Sequence, residues 1–317
     1  MPLSLDLPVR VLEVHLRALE PILLPRFAGS KLEGALGHTL YALSCVRRDL
    51  ESCDACPLRT LCPYGALYHP IRPQHLPLKS LETPPRPLVF GIHYGDEQRL
   101  EPGESFTFRL LLVGEAGKHL PFVLSALAQM GEAGLGLGRG RFRLEAVVGL
   151  HPYHSEATVL AGAEGPRSLE APVVNAEDLP IVLGNALNLT FSSLLHLKAD
   201  LTPEPTFEAL IRALQRRVST LEQLYGAGKS LGADYQTLPQ QARKVRLLSG
   251  RLTPAHQARS GKGGPPVVFS GGVGRLTYVA LEGDFAAFSG LLRYGELLGV
   301  GKWAHFGAGR YRIGEGR

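Results

Sequence analysis

Leu12-Glu-Val-His-Leu-Arg-Ala18 and the later run Ser30-Lys-Leu-Glu-Gly-Ala-Leu-Gly-His-Thr-Leu-Tyr-Ala-Leu-Ser44 decide how the first half of this chain folds. In the first stretch Leu12, Val14, Leu16 and Ala18 alternate with Glu13, His15 and Arg17. Alternation sends the two sets to opposite faces, the pattern of a half-buried strand. In the second, Leu32, Leu36, Leu40 and Leu43 recur at helical spacing and form one apolar stripe. The cysteine-bearing segment 45–70 that follows is rich in Pro and short polar residues and reads as a loop or small insertion.

Working outward, strands are expected at 88–94 and 106–113, a helix at 121–131 and a strand at 141–148. The order is β-α-β-β-α-β, the ferredoxin-like arrangement, in which the first and last strands are antiparallel neighbours. Their open face would join Glu13, His15 and Arg17 to Arg141 and Arg143, as either a solvated, ion-paired surface or one that faces RNA.

Residues 154–176, polar, Gly- and Ala-rich and containing Pro166 and Pro172, read as a linker or irregular excursion. The same element order then returns. A strand region is expected at 183–197. Thr206 caps a helix whose Phe207, Leu210, Ile211, Leu214, Val218 and Leu221 keep helical spacing. Arg212, Arg216 and Arg217 lie opposite that stripe and read as a solvated face. Residues 226–265 are polar and basic and carry no assignable pattern. Segments 267–269 and 275–281 look like a hairpin around Ser270-Gly-Gly-Val-Gly274, followed by a helix at 284–298 and a last strand ending at Ile313. The fold class is therefore α+β: two tandem ferredoxin-like domains, 1–153 and 177–317, with a Cys-containing insertion in the first.

With 317 residues, 44% apolar and 20% charged, the chain can bury two real cores. It has no apolar leader and no uninterrupted apolar run of roughly eighteen residues, so neither a signal peptide nor a membrane span is expected and the default address is the cytoplasm. A net charge of +5 suits an anionic partner such as nucleic acid without demanding one.

Four ordered stretches in the second half carry a family resemblance. They are Leu189-Thr-Phe-Ser-Ser with Leu197-Lys198; Thr206-Phe-Glu-Ala-Leu-Ile with Gln215-Arg-Arg and Leu224-Tyr225-Gly226; Ser270-Gly-Gly-Val-Gly-Arg-Leu-Thr-Tyr278; and Gly299-Val-Gly-Lys-Trp-Ala-His-Phe-Gly-Ala-Gly-Arg-Tyr311. The set resembles the CRISPR repeat-processing endoribonucleases of the RAMP superfamily, and Phe27-Ala-Gly-Ser-Lys-Leu-Glu-Gly-Ala-Leu-Gly-His38 with Cys62-Pro-Tyr64 looks like one branch of it. The resemblance implies metal-independent cutting of CRISPR repeat RNA (pre-crRNA) to guide RNA, leaving a 2′,3′-cyclic phosphate and a 5′-hydroxyl. It implies repeat RNA as partner, other CRISPR effector subunits as further partners and no membrane, and it leaves a homodimer open. The alternative is a non-catalytic RAMP subunit that holds guide RNA.

The glycine-rich segment at 299–309 is neither a Walker A motif nor a dinucleotide fingerprint, since no Gly-Lys-Ser/Thr is placed correctly and no helix can follow. Its candidate RNA-binding residues are Gly299, Gly301, Lys302, Trp303, His305, Gly307, Gly309 and Arg310; a tight turn at a domain end is the plainer reading. Gly134-x-Gly-x-Gly-x-Gly140 holds the matching place in the first half, and Arg139, Arg141, Arg143, Lys262 and Arg275 extend the RNA-binding set.

Metal-free RNA cleavage needs two proton transfers and stabilisation of a phosphorane, and imidazole titrates near working pH. Among eleven histidines His38 stands out, sharing a helical stripe with Lys31 and Tyr41. Lys31 would offset phosphate charge and Tyr41 would orient the attacking hydroxyl. The resemblance also implies a histidine on or near the first helix in this role; His15 and His305 are the other candidates. No cofactor is expected for catalysis. Cys45, Cys53, Cys56 and Cys62, spaced C-x7-C-x2-C-x5-C, suit a structural zinc; an iron–sulfur cluster, free thiols or a disulfide remain open.

Overall fold

The computed structural model describes residues 5–73, 81, 83–228, 234–259 and 265–314. The first domain contains β1 (Val9–Ala18), β2 (Ile22–Leu24), α1 (Gly29–Ser44), α2 (Pro63–Tyr68), β3 (Leu88–Gly91), β4 (Gln98–Leu100), β5 (Ser105–Val113), α3 (Leu120–Ala133), β6 (Phe142–Leu150), β7 (Ala157–Gly162) and β8 (Gly165–Pro166). Its main sheet runs β3-β5-β1-β6-β7-β8, while β2 and β4 pair separately. Strand β1 is antiparallel to both neighbours, with Leu16 opposite Phe106 and Arg17 opposite Arg143. The second domain contains β9 (Ala186–Leu195), α4 (Phe207–Tyr225), α5 (Asp234–Ala242), β10 (Val245–Arg259), β11 (Val267–Ala280), α6 (Ser289–Leu298) and β12 (Tyr311–Gly314), with sheet order β10-β11-β9-β12. Taken alone, β3-β5-β1-β6 and β10-β11-β9-β12 follow one topology, so the two ferredoxin-like repeats expected from the element order are present.

Local chemistry explains the helices. The stripe of α1 (Leu32, Leu36, Leu40) and that of α4 (Phe207, Leu210, Ile211, Leu214, Val218, Leu221) are buried against their sheets. The Thr206 hydroxyl accepts from the Ala209 amide at 3.2 Å, capping α4 as expected.

Three expectations are corrected. Residues 154–176 are not simply a linker, because β7 and β8 extend the first sheet, with Leu160 and Ala161 buried. The expected hairpin at 267–281 is instead one strand of fourteen residues, β11, and its hairpin partner is β10 in the unassigned stretch. The glycines are not a turn. A Cβ at Gly271 would lie 2.6 Å from the Leu195 carbonyl oxygen, and one at Gly272 would lie 2.6 Å from Leu252 Cβ, so they admit neighbouring strands to mid-strand. Strand β10 hid because it is a largely exposed edge strand with little alternation. Finally, Arg217 is no solvated residue. Its guanidinium donates to the carbonyl of Leu298, the last residue of α6, at 2.8 and 3.1 Å. It is a cation on a helix C-terminus, immediately before the glycine-rich loop.

The domains meet through backbone and aromatic contacts. The Tyr94 amide donates to the Ser192 carbonyl, the Tyr225 hydroxyl to Pro85, and the Tyr294 hydroxyl to Leu7. Phe269 and Ala308 of the second domain lie in the core of the first. No helix among the described residues is long and apolar enough to cross a membrane.

Candidate nucleic-acid interface

Strand β3 of the first domain lies against the loop that leads into β12 of the second. On β5, Arg109 stands opposite Glu13 of β1 and lies 3.4 Å from its carboxylate. Arg310, just before β12, and Arg312 on it flank the buried Tyr311, and Arg312 and Arg275 both lie opposite Thr190 of β9. A Cβ on Gly91 would collide with the Arg310 guanidinium and lie 2.7 Å from Arg109 Cβ. Arg310, Arg109 and Arg312 therefore converge at the seam.

Burial, then Arg109 and Arg312, push the Arg310 guanidinium down to about 10. Burial and the same three arginines also push His93 below the usual imidazole range. Among the described residues no carboxylate lies within ion-pair distance of Arg310, Arg312 or Arg275. Cations held together at a domain seam, two of them without a carboxylate within ion-pair distance among the described residues, suit an anion.

Further along the first sheet the expected stripe is more neutralised. Arg17 pairs with Glu145, and Arg143 lies 3.7 Å from the same carboxylate. Arg141 pairs with Glu20 at 2.8 Å, and His15 contacts Glu13 and Thr107. These residues form the ion-paired surface that was one of the two readings.

In the glycine-rich loop, Gly299, Gly301, Gly307 and Gly309 all have positive φ. A Cβ on each would collide with a protein carbonyl: Ala308, His196, Phe90 and Val300, respectively. Their lack of Cβ is thus accounted for by close backbone packing, with Gly307 against β3 of the first domain. Lys302 is exposed and lies 4.1 Å from the Trp303 ring centroid. Trp303 itself has φ 61°, a left-handed conformation unusual for a bulky residue, and packs on Phe269 and His196. His305 stacks on Phe306, and burial, with Arg86 and Arg217 nearby, pushes it down to about 3. The first-half loop behaves alike: Gly134, Gly136 and Gly140 pack against carbonyls, while Arg139 is exposed at φ 54°. Lys262 lies outside the described residues.

On α1, His38 is exposed and, among the described residues, makes no hydrogen bond. Lys31 lines a cavity of about 410 Å³ with Phe27, Arg99, Leu137, Gln257 and Arg259. Tyr41 lines a different one and packs edge-on against Tyr64, and the neighbouring Cys45 thiol raises its hydroxyl pKa. The stripe exists, but its ends serve separate cavities: ten residues span about 15 Å along a helix.

The cavity beside Tyr41, about 350 Å³, is lined by all four cysteines together with Arg47, Arg59 and His69. None is in a disulfide. Burial, then Cys45, Cys62 and Cys56, raise the Cys53 thiol, so the four groups sense one another.

Sequence reasoning missed Arg109, Arg312 and His93. Arg109 was legible in the alternation of Phe106, Phe108 and Leu110 against Thr107, and Arg312 in that of Tyr311 and Ile313. His93 carried no signal.

Comparison with known proteins agrees with this architecture. Residues 7–173 match the AF_1859_N N-terminal domain family, and residues 189–311 match the CRISPR-associated endoribonuclease Cas6 family. A protein of Archaeoglobus fulgidus described as uncharacterized is 27% identical over 303 residues, covering 92% of each chain. A Cas6 product complex superimposes with a TM-score of 0.56 at 18% identity, over 96% of this chain and 99% of the other. Thermus thermophilus Cas6 does so at 0.52 and 15%, over 98% and 99%. The fold is the tandem ferredoxin-like fold of these two structures. The chain belongs to the family of the AF_1859_N N-terminal domain, whose match spans more than half of it, and its second domain matches the CRISPR-associated endoribonuclease Cas6 family.

Proposed function

We propose that this protein grips CRISPR repeat RNA along the seam between its two domains and cuts it without a metal ion. The observation that carries the RNA reading is the convergence of Arg310, Arg109 and Arg312, two of them without a carboxylate partner among the described residues. A phosphodiester backbone supplies the missing charge.

In this reading the ribose 2′-oxygen attacks the adjacent phosphorus in line while its proton passes to a base. The bond to the 5′-oxygen breaks, and that oxygen takes a proton from an acid. The products are a 2′,3′-cyclic phosphate and a 5′-hydroxyl. His38 carries one of these proton transfers: it is exposed, on a rigid helix and free of an internal hydrogen bond among the described residues. Lys31, beside Arg99 and Arg259, offsets phosphorane charge. Tyr41 reaches the attacking hydroxyl only by turning out of the cysteine-lined cavity.

The experiment is cleavage of repeat RNA in EDTA. Cutting supports the proposal. Binding without cutting supports a guide-holding subunit, and activity lost in EDTA and restored by metal supports a metal-dependent nuclease.

The four cysteines suit a structural metal by donor type, though no three of their sulfurs lie within 4.8 Å of one another, so an ion would have to draw them together. Their thiols share one cavity, none is tied up in a disulfide, and four ligands would leave no open position for water. Elemental analysis should find about one zinc, or iron with visible absorbance, at this site, lost in Cys53→Ser/Cys56→Ser.

A further inference from the structure

A second candidate for metal lies where the first domain hands over to the second. Strand β6 ends in the turn His151-Pro-Tyr-His154, closed by the His154 amide donating to the His151 carbonyl at 3.3 Å. Asp178 sits in a short 3-10 turn on the segment leading to β9. One ligand atom from each of His151, His154 and Asp178 lies within 4.8 Å of the others, the one such group of histidine, cysteine or acidic residues among the described residues.

Both imidazoles face the Asp178 carboxylate, one at each oxygen, within reach of a shared ion. His151 Nε2 lies 3.3 Å from Asp178 Oδ2, and His154 Nε2 lies 3.4 Å from Asp178 Oδ1. Two ligands each about 2.0–2.1 Å from one tetrahedral ion stand about 3.3–3.4 Å apart. The carboxylate is held in place, with Oδ2 accepting from the Asn175 amide at 2.7 Å. His151 is buried and its other ring nitrogen has no partner, so its orientation is set by packing. His154 is half exposed, which leaves room for water at a fourth position.

We infer that His151, His154 and Asp178 form a binding site for a divalent transition ion of the zinc class. Two imidazoles and one carboxylate match that class and disfavour calcium or magnesium, which take oxygen ligands. The site bridges the end of β6 to the interdomain segment. That segment is tied on one side to β1, through the paired Val9 and Val174 amides and carbonyls, and on the other to α6, through the Val182 amide and the Ser289 hydroxyl. A bound ion would fasten this junction and act on stability.

The test is zinc content after equilibrium dialysis of the full chain against micromolar zinc, comparing the parent with His154→Ala and Asp178→Asn. Each variant should bind one equivalent fewer than the parent, whatever the cysteines hold. Zinc should also raise the parent's unfolding temperature more than that of either variant. His154 is exposed enough for its alanine variant to keep the fold, and the carboxamide oxygen introduced by Asp178→Asn would still accept from the Asn175 amide. Equal zinc content in parent and His154→Ala, or no zinc bound by the parent, overturns the assignment.

Discussion

The guanidinium of Arg310 lies across the backbone of Gly91, so that the arginine just before the last strand of the second domain lies against the first domain only because residue 91 has no Cβ. The contact sets Arg310 beside Arg109 and gathers positive charge at the seam.

If that charge meets a phosphate, Arg310→Ala should weaken binding of uncleavable repeat RNA. The slope of log affinity against log salt should shrink by roughly 0.7 for one lost single-strand contact. Gly91→Ala, which displaces the same side chain, should move both quantities the same way. Titration across a salt series checks this; an unchanged slope in both variants would put the RNA elsewhere.

His38→Ala should lower single-turnover cleavage by roughly 10²–10⁴-fold and leave RNA affinity nearly intact. Lys31→Ala should cost less, and Tyr41→Phe less again, because Tyr41 is engaged at the cysteine cavity. Rapid-quench kinetics at saturating enzyme decide it. Parental rates in the His38 variant would turn attention to His93.

Most of the fold was legible because its signals are local. The period of two in 12–18 and the stripes of α1 and α4 follow from burial on one face, and all three elements formed as expected. What failed was where tertiary contact overrides local grammar. Gly271 and Gly272 look like a turn but admit neighbouring strands, and Arg217 looks solvated until α6 offers its terminal carbonyls. The candidate site was half legible for the same reason. Arg310 and Arg275 stood out in sequence, but the meeting of Arg310 with Arg109 depends on how two domains dock, which no periodicity encodes.

Gly307→Val is expected to act on stability first. The residue has φ +96° and abuts the Phe90 carbonyl of the first domain, so a side chain there brings backbone strain as well as a collision. A cost on the order of 1–3 kcal/mol follows, read as a thermal midpoint lower by several degrees. An unchanged midpoint with weakened RNA binding would restore the glycine as a phosphate contact.

His305 gives a pH signature. Its folded value, about 3, lies below the ordinary imidazole value of 6.5, so the unfolded chain binds the extra proton across that interval. Stability is then full above pH 6.5 and falls as pH drops toward 3. His305→Gln should flatten this part of the profile when denaturant midpoints are compared between about pH 7 and about pH 4. Parallel profiles would contradict the burial argument.

Attack by the RNA's own 2′-hydroxyl is decided by a matched pair of substrates. Repeat RNA and the same RNA carrying one 2′-deoxy nucleotide at the scissile position are incubated with enzyme in EDTA, and the product ends are identified by mass. Both should bind equally. Only the all-ribose strand is cut, and its product ends in a 2′,3′-cyclic phosphate opposite a 5′-hydroxyl. Comparable cutting of the deoxy substrate, or products bearing a 3′-hydroxyl and a 5′-phosphate, would contradict it.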